Sequence, residues 1–211
     1  MPATLVFTYF DFPALGEAVR LALAMTGKQW EDMRISFDDF KQLKPTLPFK
    51  QVPVLEVDGK VIPQSLAQLR YVGKIGGIYP KDALEAANAD AAMDAVTDLH
   101  ARLTPSIQAK DHDKKMELRK DFVEYLTMWL GNLEHFLEAA GGKYFAGGKL
   151  STGDIAVVAR LNWLKDGTLE GVPTTIVDGY PLLSALVDRV MSEPRIVAYV
   201  EKLPEPVVRQ F

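Results

Sequence analysis

The sequence changes character near Pro80, and this change limits the folds available to the chain. Before Pro80, short runs of β-forming residues alternate with a segment whose apolar residues have helical spacing. From Ala83 onward the chain is alanine-rich and repeats apolar residues every three to four positions, and no run is typical of a strand. Because 211 residues can bury two modest cores, we expect an α/β domain at residues 1–80 and an all-helical domain at residues 83–211.

The α/β domain begins with a predicted strand–helix–strand unit. Residues 3–9 predict a strand, helical spacing follows, and residues 30–36 predict a second strand. This second strand is parallel to the first if the crossover has the usual right hand. Asp58-Gly59, between two alternating segments, is a strong signal for an antiparallel hairpin. Ser65 then supplies an N-cap hydroxyl to a last helix, and the expected order is βαβ-ββα.

The helical domain contains a short pattern with a clear structural meaning. Ser151 and Asp154 form an S-x-x-D pattern, which predicts a capping box in which each side chain binds a backbone N–H of the helix start. We interpret this pair as structural rather than catalytic. Beyond the helix that starts at Ala83, helices are predicted at residues 114–140, 152–167 and 182–203.

Composition excludes several kinds of chemistry. The chain has no cysteine, which excludes disulfides, thiolate metal sites and a protein thiol nucleophile. Sulfur chemistry would therefore need the sulfur of a ligand. A balance of 24 Lys+Arg against 28 Asp+Glu gives a net charge of -4, which does not favour nucleic acid. The three histidines form no i, i+4 pair, so we expect no metal site.

Hydropathy gives an expectation about location. No apolar run approaches the roughly 18 residues that a membrane-spanning helix needs. The amino terminus lacks a basic stretch followed by an apolar helix, which is the pattern of a secretory signal. We therefore expect a cytoplasmic protein without a membrane span.

Four segments together resemble the cytosolic glutathione transferases. They are TYF at 8–10, TLPFKQVPVLEVDG at 46–59, PQSLAQLRY at 63–71 and STGD at 151–154. The chain is most similar to the sigma class, which includes glutathione-dependent prostaglandin D synthases. The resemblance covers essentially the whole chain and is most specific over residues 46–71. It implies a thioredoxin-like domain followed by a helical domain, a homodimer, glutathione as co-substrate and no metal.

The resemblance assigns roles to the central residues of a glutathione site. It implies a cis peptide between Val52 and Pro53, which presents the backbone of Val52 to the cysteinyl unit of glutathione. Gln64 and Ser65 would hold the γ-glutamyl carboxylate where a helix begins, and Tyr9 would hydrogen-bond the thiolate as the catalytic residue. Taken without the resemblance, these residues favour the structural interpretation: an edge-strand proline, an unliganded serine cap and a half-buried strand tyrosine.

Further positions complete the predicted glutathione site. Phe40 and Lys44 match positions that contact the glycyl end of glutathione, although phenylalanine lacks the indole N–H of the usual tryptophan. Gln51 matches a ligand-facing position. Asp98 matches an acidic position that reaches the γ-glutamyl ammonium of the partner subunit's ligand, with a solvated helical aspartate as the alternative. Phe49 is either an interface anchor or a packed aromatic residue.

The second substrate requires an apolar pocket beside the sulfur. Each candidate for this pocket is, when judged alone, more often an ordinary core or surface residue than a pocket residue. The candidates are Phe10, Phe12, Pro13, Leu103 and Phe211.

One departure from the family pattern bears on the activity. The sigma pattern normally has an arginine where this chain has Leu15, within PALGE, and the loss removes a cationic contribution to lowering the thiol pKa. We expect a transferase that conjugates the glutathione thiolate to apolar electrophiles in detoxification, with peroxidase or isomerase activity as narrower versions. The alternatives are a non-catalytic glutathione carrier, like the lens crystallins of this class, and a structural dimerisation module without affinity for glutathione.

Overall fold

The structure is a computed structural model that describes residues 4–203. The chain divides into two compact units, Met1–Tyr79 and Pro80–Phe211. The elements of the first unit are β1 (Leu5–Phe10), α1 (Glu17–Thr26), β2 (Glu31–Ile35), α2 (Phe37–Leu43), a 3-10 turn (Lys44–Thr46), β3 (Val54–Val57), β4 (Lys60–Pro63) and α3 (Ser65–Gly76). Those of the second are α4 (Ala83–Gln108), α5 (His112–Ala139), α6 (Thr152–Lys165), α7 (Pro181–Met191) and α8 (Pro194–Val200).

The first unit is built on a mixed four-stranded sheet in the order β2-β1-β3-β4. β1 runs parallel to β2 and antiparallel to β3, and β3 and β4 form the hairpin at Asp58-Gly59. The predicted βαβ-ββα order is therefore confirmed. α2 was not predicted, although Ser36 and Asp39 form a capping box at its start, a pattern that could have revealed it.

β1 places Tyr9 at the end of a buried row. Leu5, Phe7 and Tyr9 are 2%, 0% and 4% exposed, and alternate residues of a strand project from the same face of the sheet. α1 and α3 contact each other. Tyr9 is thus the last core residue of β1, and the chain beyond it turns into α1.

The second unit is helical over its described part, as predicted. The single helix predicted at residues 182–203 is wrong, because the chain forms α7 and α8 with a break at Ser192–Glu193. Pro194 has no backbone N–H, so it cannot continue α7 but is well suited to be the first residue of α8. Apolar spacing continues through the break, which is why periodicity alone did not reveal it.

The predicted capping box at the start of α6 is confirmed. Asp154 is fully buried and accepts hydrogen bonds from the backbone N–H of Ser151 at 2.7 Å, the Ser151 hydroxyl at 2.6 Å and the backbone N–H of Phe145 at 2.9 Å. Burial raises the pKa of the Asp154 carboxyl to about 6, although these hydrogen bonds act in the opposite direction. One side chain thus joins the helix start to the preceding loop.

Two features are absent from residues 4–203, namely a membrane-spanning helix and a metal-binding cluster. No helix there is long and apolar enough to cross a membrane. The same residues contain no group of three or more His, Asp or Glu side chains that could hold a metal ion.

Candidate active site

Tyr9 packs directly against the first residues of the turn that leads into α1. Its hydroxyl oxygen accepts a hydrogen bond from the backbone N–H of Leu15 at 3.4 Å. A Cβ atom at Gly16 would lie only 2.2 Å from Cδ1 of the Tyr9 ring. Only glycine therefore allows the ring to occupy this position. A phenol that accepts one hydrogen bond is a stronger donor through its own hydrogen, because hydrogen bonds in series polarise one another.

Leu15 thus contacts Tyr9 through its backbone N–H, and its side chain carries no charge. The arginine expected in this segment is absent from the sequence, and an amide N–H approaches the Tyr9 oxygen instead. A neutral amide contributes less to stabilising a nearby anion than a guanidinium does. The site therefore retains a donor next to the phenol but lacks the cation of the family pattern.

Arg20, which the sequence analysis did not single out, holds the chain immediately after Tyr9. Its side chain is fully buried, and its guanidinium donates to the carbonyls of Phe10 at 2.9 Å and Phe12 at 3.2 Å. Its Nε lies 3.1 Å from both carboxylate oxygens of Asp32. An arginine on the apolar face of a predicted helix is the signal that could have revealed this buried ion pair.

A single recess collects most of the predicted glutathione-binding residues. It is lined by Leu15, Phe49, Gln51, Val52, Pro53, Pro63, Gln64 and Ser65. The Val52–Pro53 peptide bond is cis, as the resemblance implies. Leu15 connects the recess to Tyr9, because it lines the recess and its N–H binds the Tyr9 oxygen.

The start of α3 differs from the prediction. The N-cap residue is Gln64, with φ 68° and ψ 114°, and its side chain makes no capping hydrogen bond. Ser65 is the first helical residue, so its predicted role as N-cap is wrong. A non-glycine residue at positive φ is strained, and here it turns the chain so that α3 begins at the recess. The first-turn N–H groups and the helix dipole favour an anion at such a position.

Other predicted residues lie outside this recess. Phe40 and Lys44 are not among its lining residues, and the Lys44 ammonium lies 5.8 Å from the centre of the Phe40 ring. Asp98 is an exposed residue of α4. Leu103 is 1% exposed and belongs to the core of the helical unit, so the structure gives it a packing role. Phe211 lies outside the described residues.

An aromatic cluster adjoins Tyr9. The ring centres of Phe10 and Phe12 lie 5.4 and 5.6 Å from that of Tyr9, and these two rings stack with centres 5.2 Å apart. Phe40 and Phe37, the latter missed by the sequence analysis, lie 5.3 and 4.7 Å from Phe10. Phe37 is 52% exposed, so the cluster presents apolar surface to solvent. The carbonyl of the neighbouring Pro13 accepts hydrogen bonds from the backbone N–H groups of Gly16 and Glu17 at the start of α1.

Comparison with known proteins gives matches over both units. Two family models match: the glutathione S-transferase N-terminal domain at residues 5–74 and the glutathione S-transferase C-terminal domain at residues 97–203. Glutathione S-transferase 1 of Ascaris suum is 32% identical over 203 residues, covering 94% of this chain and 96% of that protein. S-crystallin SL11 of Nototodarus sloanii is 30% identical over 206 residues, covering 96% and 97%.

A solved structure agrees with these matches. The structure of prostaglandin synthase D of Nilaparvata lugens has a TM-score of 0.88 and 33% sequence identity, and the match covers 96% of this chain and 100% of that chain. The mixed sheet and the helical unit therefore form the fold that the resemblance implied. With family models matching more than half of the chain, and relatives that are matched over nearly their whole length, the chain belongs to the glutathione S-transferase family.

Proposed function

We propose that the chain is a transferase in which the Tyr9 hydroxyl hydrogen-bonds the thiolate of glutathione. The observation that carries this proposal is the position of Tyr9, whose oxygen is bound by the N–H of a recess residue, Leu15. A thiol with a pKa of about 8.5 is mostly protonated at neutral pH. A hydrogen bond to an ionised group stabilises it by about 1.5–3 kcal/mol, which lowers the pKa by one to two units.

The recess offers partners for the two ends of the cysteinyl–glutamyl part of glutathione. The backbone of Val52, next to the cis peptide, is suited to pair with the cysteinyl unit in the manner of an antiparallel strand. The start of α3, with Gln64 and Ser65, is suited to the γ-glutamyl carboxylate because its first-turn N–H groups favour an anion. Bound in this way, the tripeptide would bring its sulfur towards Tyr9.

The aromatic cluster supplies the second half of the proposed reaction. Phe10 and Phe12 offer apolar surface beside Tyr9 for an electrophile. The thiolate attacks an electrophilic carbon to form a thioether, and the leaving group departs with the bonding electron pair. A peroxide or endoperoxide oxygen is an alternative target, so that peroxidase or isomerase activity belongs to the same proposal.

The test is a titration of the protein with glutathione, followed by the ultraviolet absorbance of the thiolate across neutral pH. Tyr9→Phe is expected to raise the pKa of the bound thiol by one to two units, because it removes one hydrogen bond to the anion. Tyr180→Phe is the matched control, since that hydroxyl binds the carbonyl of Thr127 in the helical unit. An equal thiolate signal in wild type and Tyr9→Phe would contradict the role of Tyr9.

A second candidate function is a glutathione carrier without turnover. Two observations favour it, namely Leu15 in place of the expected arginine and the S-crystallin among the relatives. A carrier would bind glutathione in the same titration without a thiolate signal in either form. Absence of binding would instead exclude both functions and favour a structural role.

Gly16 is expected to be necessary for the position of Tyr9. Gly16→Ala places a methyl group where the ring now lies, and such overpacking costs about 1–3 kcal/mol or displaces the ring. We expect about a tenfold or greater loss of kcat/KM together with a weaker thiolate signal. Gly131→Ala is the control, because a Cβ there meets nothing within 4 Å. Unchanged kinetics in Gly16→Ala would show that the Tyr9 geometry is not critical.

The proposal includes membership of the sigma class, detoxification as the role, a cytoplasmic location and a homodimer. Phe49 is 58% exposed, so its ring is accessible to a partner subunit. Asp98 is exposed on α4 and is thus accessible to a partner subunit's ligand. Sedimentation equilibrium measures the number of subunits, and a monomer would remove Asp98 from the proposed site.

A further inference from the structure

We infer that Gln68 is a positioning residue that sets the spacing between the two arms of the glutathione recess. This inference rests on the proposed function. The first arm is the segment of residues 51–53, which contains the cis peptide, and the second arm is the segment of residues 62–65, which leads from β4 into α3. Both arms line the recess.

One amide group bridges the two arms beside the β3–β4 ladder, which already pairs Val54 with Pro63. Gln68 is 0% exposed, and its Nε2 donates to the carbonyl of Pro53 at 2.8 Å and to the carbonyl of Ile62 at 2.9 Å. Its own backbone N–H binds the carbonyl of Gln64 at 3.0 Å, one helical turn earlier. Gln68 is therefore fixed to α3 at one end and bonded to both arms at the other.

The chemistry of the amide explains why glutamine stands at this buried position. Its two N–H groups are donors without charge, so they can bind two carbonyls in a core where an ammonium would be poorly solvated. Its Oε1 is buried and has no hydrogen-bond partner among residues 4–203, which costs free energy that an apolar side chain would avoid. The two hydrogen bonds that Nε2 donates offset this cost.

The two hydrogen bonds of the Gln68 amide, here called the bridge, act on glutathione binding and not on the chemical step. The Pro53 carbonyl follows the cis peptide that presents Val52, and Ile62 lies two residues before Gln64. Tyr9 belongs to β1 and takes its hydrogen bond from Leu15, outside the bridge. Without these two hydrogen bonds the β3–β4 ladder still pairs the strands, but the segments beyond its end at Val54 and Pro63 are held less firmly. We therefore expect a higher KM for glutathione and an unchanged kcat.

The first test replaces the amide with an apolar chain of similar length. Gln68→Met is expected to raise the Kd and the KM for glutathione about tenfold, the effect of losing one net hydrogen bond, without a change in kcat or in the KM for the electrophile. Gln108→Met is the matched control, because Gln108 is exposed at the end of α4. Calorimetric titration with glutathione gives Kd directly.

The second test uses Gln68→Glu, which keeps the length of the side chain. An ionised glutamate has no donor for the two carbonyls, whereas the protonated form has one. We therefore expect the ratio of the variant's Kd to that of wild type to fall as the pH is lowered from neutral towards 5. A role in packing alone would leave this ratio independent of pH. The pH series also decides the matter if Gln68→Met does not fold.

The outcomes separate this inference from the proposed function. Wild-type affinity in Gln68→Met, or a pH-independent ratio in Gln68→Glu, would overturn the positioning role while glutathione binding itself stands. A wild-type protein that does not bind glutathione would overturn the proposed function and this inference with it. A raised KM with unchanged kcat would support the positioning role.

Discussion

Asp154→Ala is expected to destabilise the protein by about 3–5 kcal/mol, because buried donors lose their shared acceptor. The carboxylate is fully buried and binds two backbone N–H groups, those of Ser151 and Phe145. Alanine leaves both without a partner in a place that water does not reach. The Ser151 hydroxyl can rotate towards another acceptor, so its loss adds little.

Urea unfolding measures this change in the free energy of unfolding. Asp121→Ala is the control, since Asp121 is an exposed residue of α5 and such substitutions usually change stability by less than about 0.5 kcal/mol. A loss below about 1 kcal/mol in Asp154→Ala would contradict the idea that this capping box holds the loop to α6.

The same carboxyl predicts a dependence of stability on pH. Burial raises its pKa to about 6 in the folded protein, above the ordinary value of 3.8. The folded state therefore binds this proton more tightly than the unfolded state does. The contribution is fully present below about pH 4 and is lost as the pH rises through about 6. Wild type should thus gain stability relative to Asp154→Asn as the pH falls across this window.

Local patterns predicted much of the fold. Asp58-Gly59 specified the hairpin, and the S-x-x-D pattern at Ser151 specified the start of α6, because each depends on a few adjacent residues. Two predictions were mistaken. The sequence pattern predicted no break before Pro194, and it predicted Ser65 instead of Gln64 as the N-cap of α3. In both places apolar spacing or a serine suggested a regular helix, while the backbone conformation, which the spacing does not reveal, decided where the helix begins.

The supporting residues of the site were beyond such patterns. Gln68 binds carbonyls that lie 15 and 6 positions earlier in the chain, and Gly16 matters because a ring from another element occupies the space of its missing side chain. Carbonyls belong to every residue, so no residue type marks them as partners. The family resemblance indicated Tyr9, whereas only the tertiary structure reveals what holds Tyr9 in place.

Arg20→Met is expected to destabilise the protein by about 3–5 kcal/mol, because it removes one partner of a buried ion pair. Asp32, whose side chain is 19% exposed, would lose the contact of 3.1 Å to the Arg20 guanidinium and keep its contact of 2.8 Å to Arg34. The Glu17 carboxylate would also be destabilised, because burial already raises its pKa and the charge of Arg20 acts against that rise. The carbonyls of Phe10 and Phe12 would also lose their donor.

We expect the loss of the Arg20 hydrogen bonds to weaken the thiolate stabilisation as well, because it changes the position of Tyr9. The two carbonyls that Arg20 binds flank Asp11, immediately after Tyr9, and the guanidinium lies 5.7 Å from the centre of the Tyr9 ring. Urea unfolding measures the stability, and the thiolate absorbance of bound glutathione reports on Tyr9 in the fraction that folds. Arg102→Met, at an exposed position of α4, is the control for removing a guanidinium.

A double-mutant cycle with Asp32→Asn separates the ion pair from the contacts to the carbonyls. If the cost of Arg20→Met comes from the carboxylate left behind, the second substitution should recover much of the stability, because an amide is buried more easily than a charge. The thiolate signal should stay weak in the double mutant, since the carbonyls of Phe10 and Phe12 still lack their donor. Recovery of the thiolate signal along with stability would instead mean that Arg20 acts on the site only through Asp32.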